Sequence, residues 1–564
     1  MHLGAAALFS AAVALSSPSG ARAATWVVDG SSVRADDAGP GDAERPLRTI
    51  GRAATRVAPG DTVLVRPGLY REAVLLPRSG AADAPIRFRA EPPGSVTVTG
   101  ADLLSGFERA PGAEPIYVAP FPYRFSIGTQ NGAPVEHYPD DEPLWGRAEQ
   151  VAADGVLLLP TADLASLRRG WSDRDAALRP PVARLGGPFS GLFAVDAKAR
   201  RLYLWLADGA DPATRRIETS TRPVLVGPHP IRRGRGVTDV TFSGFVFRFA
   251  ANFPQRPAID LTGERNLLQD CAVERMNGVG VSVHGVVRRC VIRDNGHVGG
   301  SAEGRNFLNE DTVWERNSWK PLSRDWEAAG VKVTRDGPGA FRRCSFVRNG
   351  GPGLWFDLDA HDIQVTQSLF SKNEGSGVFI EISRDISVRD SVLIGNGAGA
   401  VGSPSSGWAV GGIAVAESIR ATIRNNLIRD NRDGVALREQ GPRRVEFDGV
   451  AIDYYNRGHV VSRNVVAGNK GRQLAFWWDN AFFGRHPSET GPRVAAADSS
   501  GQASGALDPA KQGLTIDRNI YSAPRDSSPF LYGAPWRPGS RSFETLGGFQ
   551  KATGFERSGS LTRR

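Results

Sequence analysis

The sequence predicts an all-β chain wound as a right-handed parallel β-helix, and three observations carry the prediction. Asparagine recurs at one place in a repeat of variable length: Cys290, Thr312, Cys344, Ser368, Ser391, Asn426 and Asn464 are each followed five positions on by Asn295, Asn317, Asn349, Asn373, Asn396, Asn431 and Asn469, and Cys271 takes six to reach Asn277. The period of roughly 18 to 38 residues is that of solenoid coils with loops of unequal length. After the turn a short apolar run resumes: Val281-Ser282-Val283, Val331-Lys332-Val333, Leu354-Trp355-Phe356, Val378-Phe379-Ile380, Ile413-Ala414-Val415, Val435-Ala436-Leu437 and Leu474-Ala475-Phe476. Finally, 66 Gly and 38 Pro scattered among short apolar runs describe an elongated repetitive fold, not a helical one.

Residues 1–23 read as a cleaved secretory signal. Leu3 to Ser16 is an uncharged Ala- and Leu-rich run too short for a permanent span, and Ala21-Arg22-Ala23 precedes Ala24. A secreted or periplasmic chain with no membrane span is expected. Residues 24–102 read as an N-terminal cap with the first coils: Leu47, Ile50, Ala54 and Val57 mark one side of a capping helix, and strands such as Thr62-Val63-Leu64-Val65 and Ile86-Arg87-Phe88 follow. Residues 103–236 hold aromatic-rich strands with no common period, Leu202-Tyr203-Leu204-Trp205 among them, and read as an inserted β-rich domain. Residues 237–484 are the main β-helix. Residues 485–564 are a loop-rich C-terminal segment with one last strand at Leu514 to Asn519 and a closing helix within Phe543 to Phe555.

The formal charge of +9 suits an acidic polymer, but only seven of the 69 basic residues are Lys and the Arg residues form no run of five or six. No nucleic-acid motif accompanies the charge. Cys271, Cys290 and Cys344 precede short partly apolar strands and read as buried thiols. His284, His297 and His361 lack the spacing of a zinc site.

Strand alternation turns the repeat into columns. Val331, Leu354, Val378, Ile413, Val435 and Leu474 face inward, as do Val333, Phe356, Ile380, Val415, Leu437 and Phe476. The next outward column reads Thr334, Asp357, Glu381, Ala416, Arg438 and Trp477, so two carboxyls fall on consecutive turns. Parallel strands lie ~4.8 Å apart, close to the ~5–5.5 Å between the two carboxyls of a retaining glycosidase. Two such groups also repel, raising one pKa and leaving an acid beside a base. Trp355 and Phe379 occupy the preceding outward column on the same turns, and aromatic faces stack on sugar rings. By alternation Asp359 points with Asp357. Lys332 lies one turn earlier in the Trp355 column, and Arg438 completes a cationic rim. Glu327, Lys332, Trp355, Asp359, Arg438 and Trp477 are therefore the candidate substrate contacts, and Asp357 and Glu381 the candidate catalytic pair.

Trp326 to Lys332, Gly351 to Asp359 (GPGLWFDLD) and Gly377 to Ser383 (GVFIEIS) resemble the core of right-handed parallel β-helix proteins related to the β-xylosidases of glycoside hydrolase family 120. The block from Pro46 to Gly100 resembles the N-terminal part of the larger pectate-lyase-like superfamily, and the inserted domain sits where that family has one. The resemblance implies that Asp357 falls on the nucleophile and Glu381 on the acid/base. Three readings stand on the sequence. The first is a retaining glycoside hydrolase that acts on polysaccharide or oligosaccharide without a cofactor. The second is a lyase or epimerase on uronic acid polymers, with Lys332 or Arg438 as base and Arg or Ca²⁺ as neutraliser; Asp357, Asp359, Asp362 and Glu381 would supply some of the oxygens such an ion needs. The third is a non-catalytic glycan-binding β-helix.

Overall fold

A computed structural model describes residues 23–123, 125, 129–130, 133–134, 147–170, 189–253, 255–320, 328–400, 409–447, 449–478, 512–536 and 540–564. The signal segment up to Arg22, Glu327 and residues 485–511 lie outside them. Among the described residues no helix is long and apolar enough to cross a membrane.

The chain is nearly all β, and its long sheets are almost entirely parallel. One coil shows the plan. Ser345–Val347 leads through a turn at Asn349 to Leu354–Asp357, a second turn leads to His361–Thr366, and a third at Ser368 leads to Leu369–Ser371 of the next coil. Each strand pairs in parallel with its equivalent one coil on: Phe346 beside Phe370, Phe356 beside Ile380, and Val365 beside Val388. The interior is a single apolar column that includes both inward sets expected from alternation, each side chain at 1 % exposure or less. Rings of successive coils lie flat on one another inside it, Phe346 on Phe370 with centroids 4.8 Å apart. Cys271, Cys290 and Cys344 are buried free thiols in that interior.

The asparagine column is continuous. Asn373 donates its backbone N–H and its side-chain N–H to Oδ1 of Asn396, at 3.1 and 2.9 Å, and gives a further side-chain N–H to the carbonyl of Phe346 at 2.9 Å. Its own Oδ1 accepts the equivalent pair from Asn349. Ser368, Ser391, Asn426, Asn464 and Asn519 form a second polar column one turn away, each accepting from the backbone N–H of the coil before. The glycine before most of the inward strands follows from this packing: a Cβ on Gly353 would stand 2.7 Å from the carbonyl of Gly377 and 2.8 Å from the Asn373 amide.

Near the N-terminus the helix Ile50–Arg56, capped by Thr49, buries Ile50, Ala53 and Ala54 against the first coils. The inserted segment forms a separate eight-stranded sheet that runs in sequence from Ala101–Leu103 to Ile217–Ser220. The coil resumes at Val226–Pro228, which pairs with Val74–Leu76, ahead of position 236 where the sequence suggested the insert ends. That strand is three residues long and is followed by an Arg-rich turn, so it shows no alternation. At the other end, Thr515–Asp517 is not the last strand: Ile520–Ala523, Phe530–Tyr532 and Ser560–Arg563 continue the stack, and the helix Leu546–Thr553 packs Phe549 onto the core.

Asn373→Ala removes a fully buried amide and strands the Asn349, Asn396 and Phe346 groups it serves. It should cost about 2–4 kcal/mol in denaturant unfolding, whereas the exposed Gln364→Ala should cost under about 0.5 kcal/mol. Equal losses for the two variants would contradict a structural role for the column.

Candidate active site

The outward face of the sheet containing Leu354–Asp357 gathers the residues that alternation selected. Val331–Thr334 pairs with it so that Lys332 faces Trp355 and Thr334 faces Asp357. On the other side Trp355 faces Phe379 and Phe356 faces Ile380, which brings the next residues, Asp357 and Glu381, side by side. From Glu381 the column continues to Ala416, Arg438 and Trp477.

Both carboxyls are largely buried and both are held by cations. Lys332 Nζ lies 3.0 Å from Asp357 Oδ2. Glu381 Oε1 accepts from Arg438 at 3.0 Å and from Arg443 at 2.8 Å. Burial pushes the Asp357 carboxyl up; Lys332 pulls against it and Glu381 adds to it, and the result is raised. Burial also pushes Glu381 up, but Arg443, Arg438 and Lys332 together outweigh it and hold the carboxyl below its usual range. Of the two carboxyls Glu381 is the stronger acid, and a proton goes more readily to Asp357.

The remaining expected contacts fall into different places. Trp355 is not an open sugar platform: it is 2 % exposed, clusters with Val298, Ala329 and Phe379, and carries Lys332 Nζ 3.9 Å above its ring. Arg438 is not a rim. It packs over Phe379 at 5.5 Å while it grips Glu381. Asp359 does not point with Asp357, because the strand ends at Asp357: Leu358 and Asp359 have φ of 51° and 69°, and the Asp359 carboxylate is taken by Arg384 at 2.8 Å and by the Tyr454 hydroxyl. Asp362 stands 3.9 Å from the same Arg384. Among the described residues no three His, Cys, Asp or Glu side chains converge as they would on a metal ion. Trp477 is half-buried, its indole N–H donated to Asp433.

Arg443 escaped the sequence reading. It opens the antiparallel hairpin of Arg443–Phe447 and Val450–Tyr454, which leaves the coil and packs Val445 and Tyr454 on Ile382 and Ile419 beside the carboxyl pair. The signal was present: two alternating runs flank Asp448-Gly449, a hairpin dipeptide. A second carboxyl pair lies behind Arg438. Glu417 and Glu439 are at most 1 % exposed; Glu417 stands 3.5 Å from Arg438, and Glu439 accepts the backbone N–H groups of Gly441 and Asn456 at 2.9 and 2.7 Å. Burial and the neighbouring Glu417 push Glu439 up to about 8.

Comparison with known proteins agrees with the architecture. A family model described as the right handed beta helix region matches residues 233–410. Among solved structures, that of XylC in complex with xylose superposes with a TM-score of 0.66 at 17% identity, over 91% of this chain and 87% of that one. A structure described as a glycoside hydrolase (TM-score 0.40, 12% identity, 81% and 95% of the two chains) and the PL6 family alginate lyase AlyGC (0.39, 12%, 90% and 56%) are more distant in shape. No curated protein matches the sequence. The molecule is a right-handed parallel β-helix. Within that class its fold is similar to that of XylC.

The Glu439 proton has a stability signature. Its folded value lies above the ordinary 4.5, so the linked stability is complete below that value and is lost as pH rises to about 8. Glu439→Gln carries no titrating proton. The melting temperature of the wild type should therefore fall relative to this variant between about pH 5 and about pH 8; a constant gap would contradict the buried proton.

Proposed function

We propose that the chain is a retaining glycoside hydrolase acting on polysaccharide or oligosaccharide, with Asp357 as nucleophile and Glu381 as acid/base. The observation that carries this reading is the register of the two carboxyl-bearing strands, Leu354–Asp357 beside Val378–Glu381. One inter-strand step of ~4.8 Å matches the ~5–5.5 Å of retaining enzymes and is too short for the ~6.5–9.5 Å that leaves room for an inverting water.

In this mechanism Asp357 attacks the anomeric carbon as Glu381 gives its proton to the leaving oxygen, and a glycosyl ester forms on Asp357. Glu381 then takes a proton from water, which attacks the same carbon and releases Asp357. Lys332 favours the ionised form of Asp357 that the first step needs. A glycosidic oxygen that accepts a hydrogen bond from Glu381 favours the protonated form of that carboxyl. A lyase would require Lys332 or Arg438 as base, and each is engaged with a carboxylate at 3.0 Å, which favours the hydrolase.

Proton NMR of the first sugar released from a panel of aryl glycosides should show the retained anomer, and Asp357→Asn and Glu381→Gln should each lower kcat by several powers of ten. An inverted product would reject the pairing. An unsaturated uronate absorbing in the near ultraviolet would replace it with the lyase, and binding without turnover with the non-catalytic protein.

Arg443→Leu removes one of the two guanidinium groups that hold Glu381 low, so the Glu381 value rises. With Glu381 as the acid, the alkaline limb of kcat/KM should move to higher pH. Movement of the acidic limb instead would make Glu381 the nucleophile.

A further inference from the structure

The column that carries Asp357 and Glu381 extends past them through Ala416 and Arg438 to Trp477, three strand steps beyond Glu381, or roughly 14 Å. Trp477 is fixed in place: its indole N–H donates to Asp433 Oδ2 at 2.9 Å, and Asp433, 3 % exposed, also accepts the backbone N–H of Arg472 at 2.8 Å. Trp536, in the turn that follows Phe530–Tyr532 one coil on, stacks against it with centroids 5.9 Å apart and planes 28° from parallel. Trp536 is 48 % exposed, although the chain buries Trp314, Trp319, Trp355 and Trp478 to 7 % or less. A large ring kept in water at that position forgoes burial energy that the fold collects elsewhere.

We infer that Trp477 and Trp536 form a distal sugar subsite, on which a neutral β-linked glycan stacks the C–H face of a ring while its scissile bond lies at Asp357 and Glu381. A flat indole recognises such a face. Within the column the intervening cation, Arg438, is already committed to Glu381 and Glu417, so among the described residues of that column none demands an acidic sugar. A monosaccharide at the pair does not span the distance, so the platform distinguishes long chains from short ones. The inference takes its cleavage point from the hydrolase reading; binding at the platform does not depend on it.

The test is Trp536→Ala, a surface change whose melting temperature should equal that of the parent. Binding of xylohexaose, cellohexaose and mannohexaose, and of their disaccharides, is measured by tryptophan fluorescence titration on Asp357→Asn protein, which prevents turnover. At least one hexasaccharide should bind and lose about tenfold in affinity with Trp536→Ala, the factor for ~1.4 kcal/mol, while its disaccharide changes less than about twofold. Equal losses at both lengths, no loss for the hexasaccharide, or no binding of any of the three overturns the subsite. Length-dependent binding without retained-product hydrolysis would remove the hydrolase reading and leave the subsite; hydrolysis indifferent to Trp536 would do the reverse.

Discussion

Asn349 gives its side-chain N–H to Asn373, Asn373 to Asn396, Asn396 to Asn431 and Asn431 to Asn469, all buried in the interior. An amide in that setting satisfies its donors and acceptor only if the next coil bends at the same place. The interaction therefore fixes register. Loops elsewhere in a coil can lengthen, as between Asn396 and Asn431 or at the 443–454 hairpin, without moving the strand that follows the asparagine. This is why Asp357 and Glu381 come side by side although 24 residues separate them in sequence, and why Trp477 shares their column.

A second ladder accounts for the charge. Arg289 reaches Asp270, Arg316 reaches Asp294, Arg343 reaches Asp311 and Arg420 reaches Asp385, each at 2.7 Å and each from one coil to its neighbour. Asp270, Asp294 and Asp311 sit at turns with φ between 51° and 57°, where a short polar side chain is tolerated. The abundant arginine is thus partly scaffolding, and among the described residues Lys332, Arg438 and Arg443 are paired with Asp357, Glu381 and Glu417.

Features that repeat were legible in the sequence. The asparagine column, both inward columns, the buried thiols and the adjacency of Asp357 and Glu381 all follow from period-two alternation applied to a fixed turn. Alternation failed where the strand stopped: Asp359 turns away because two left-handed residues end the strand, and nothing in GPGLWFDLD marks that stop. It also cannot see contacts made across the cleft. Lys332 over Trp355, both arginines on one oxygen of Glu381, and Arg443 itself come from side chains that reach between columns or from a hairpin outside the repeat. The electrostatic asymmetry of the pair, with Glu381 held low and Asp357 pushed up, is a consequence of those contacts and not of the spacing.

That asymmetry makes the division of labour between the two carboxyls the central question about the site. In the hydrolase we propose, the one-strand spacing would suit a retaining mechanism with Asp357 as nucleophile, and Lys332 at 3.0 Å would favour the ionised carboxyl that the covalent step needs. A 2-deoxy-2-fluoro glycoside with a good leaving group, made for the sugar the protein cleaves, should trap the intermediate for peptide mass spectrometry. The account predicts an adduct on Asp357, within Leu354–Asp357. An adduct on Glu381, or turnover with no adduct at all, would contradict it.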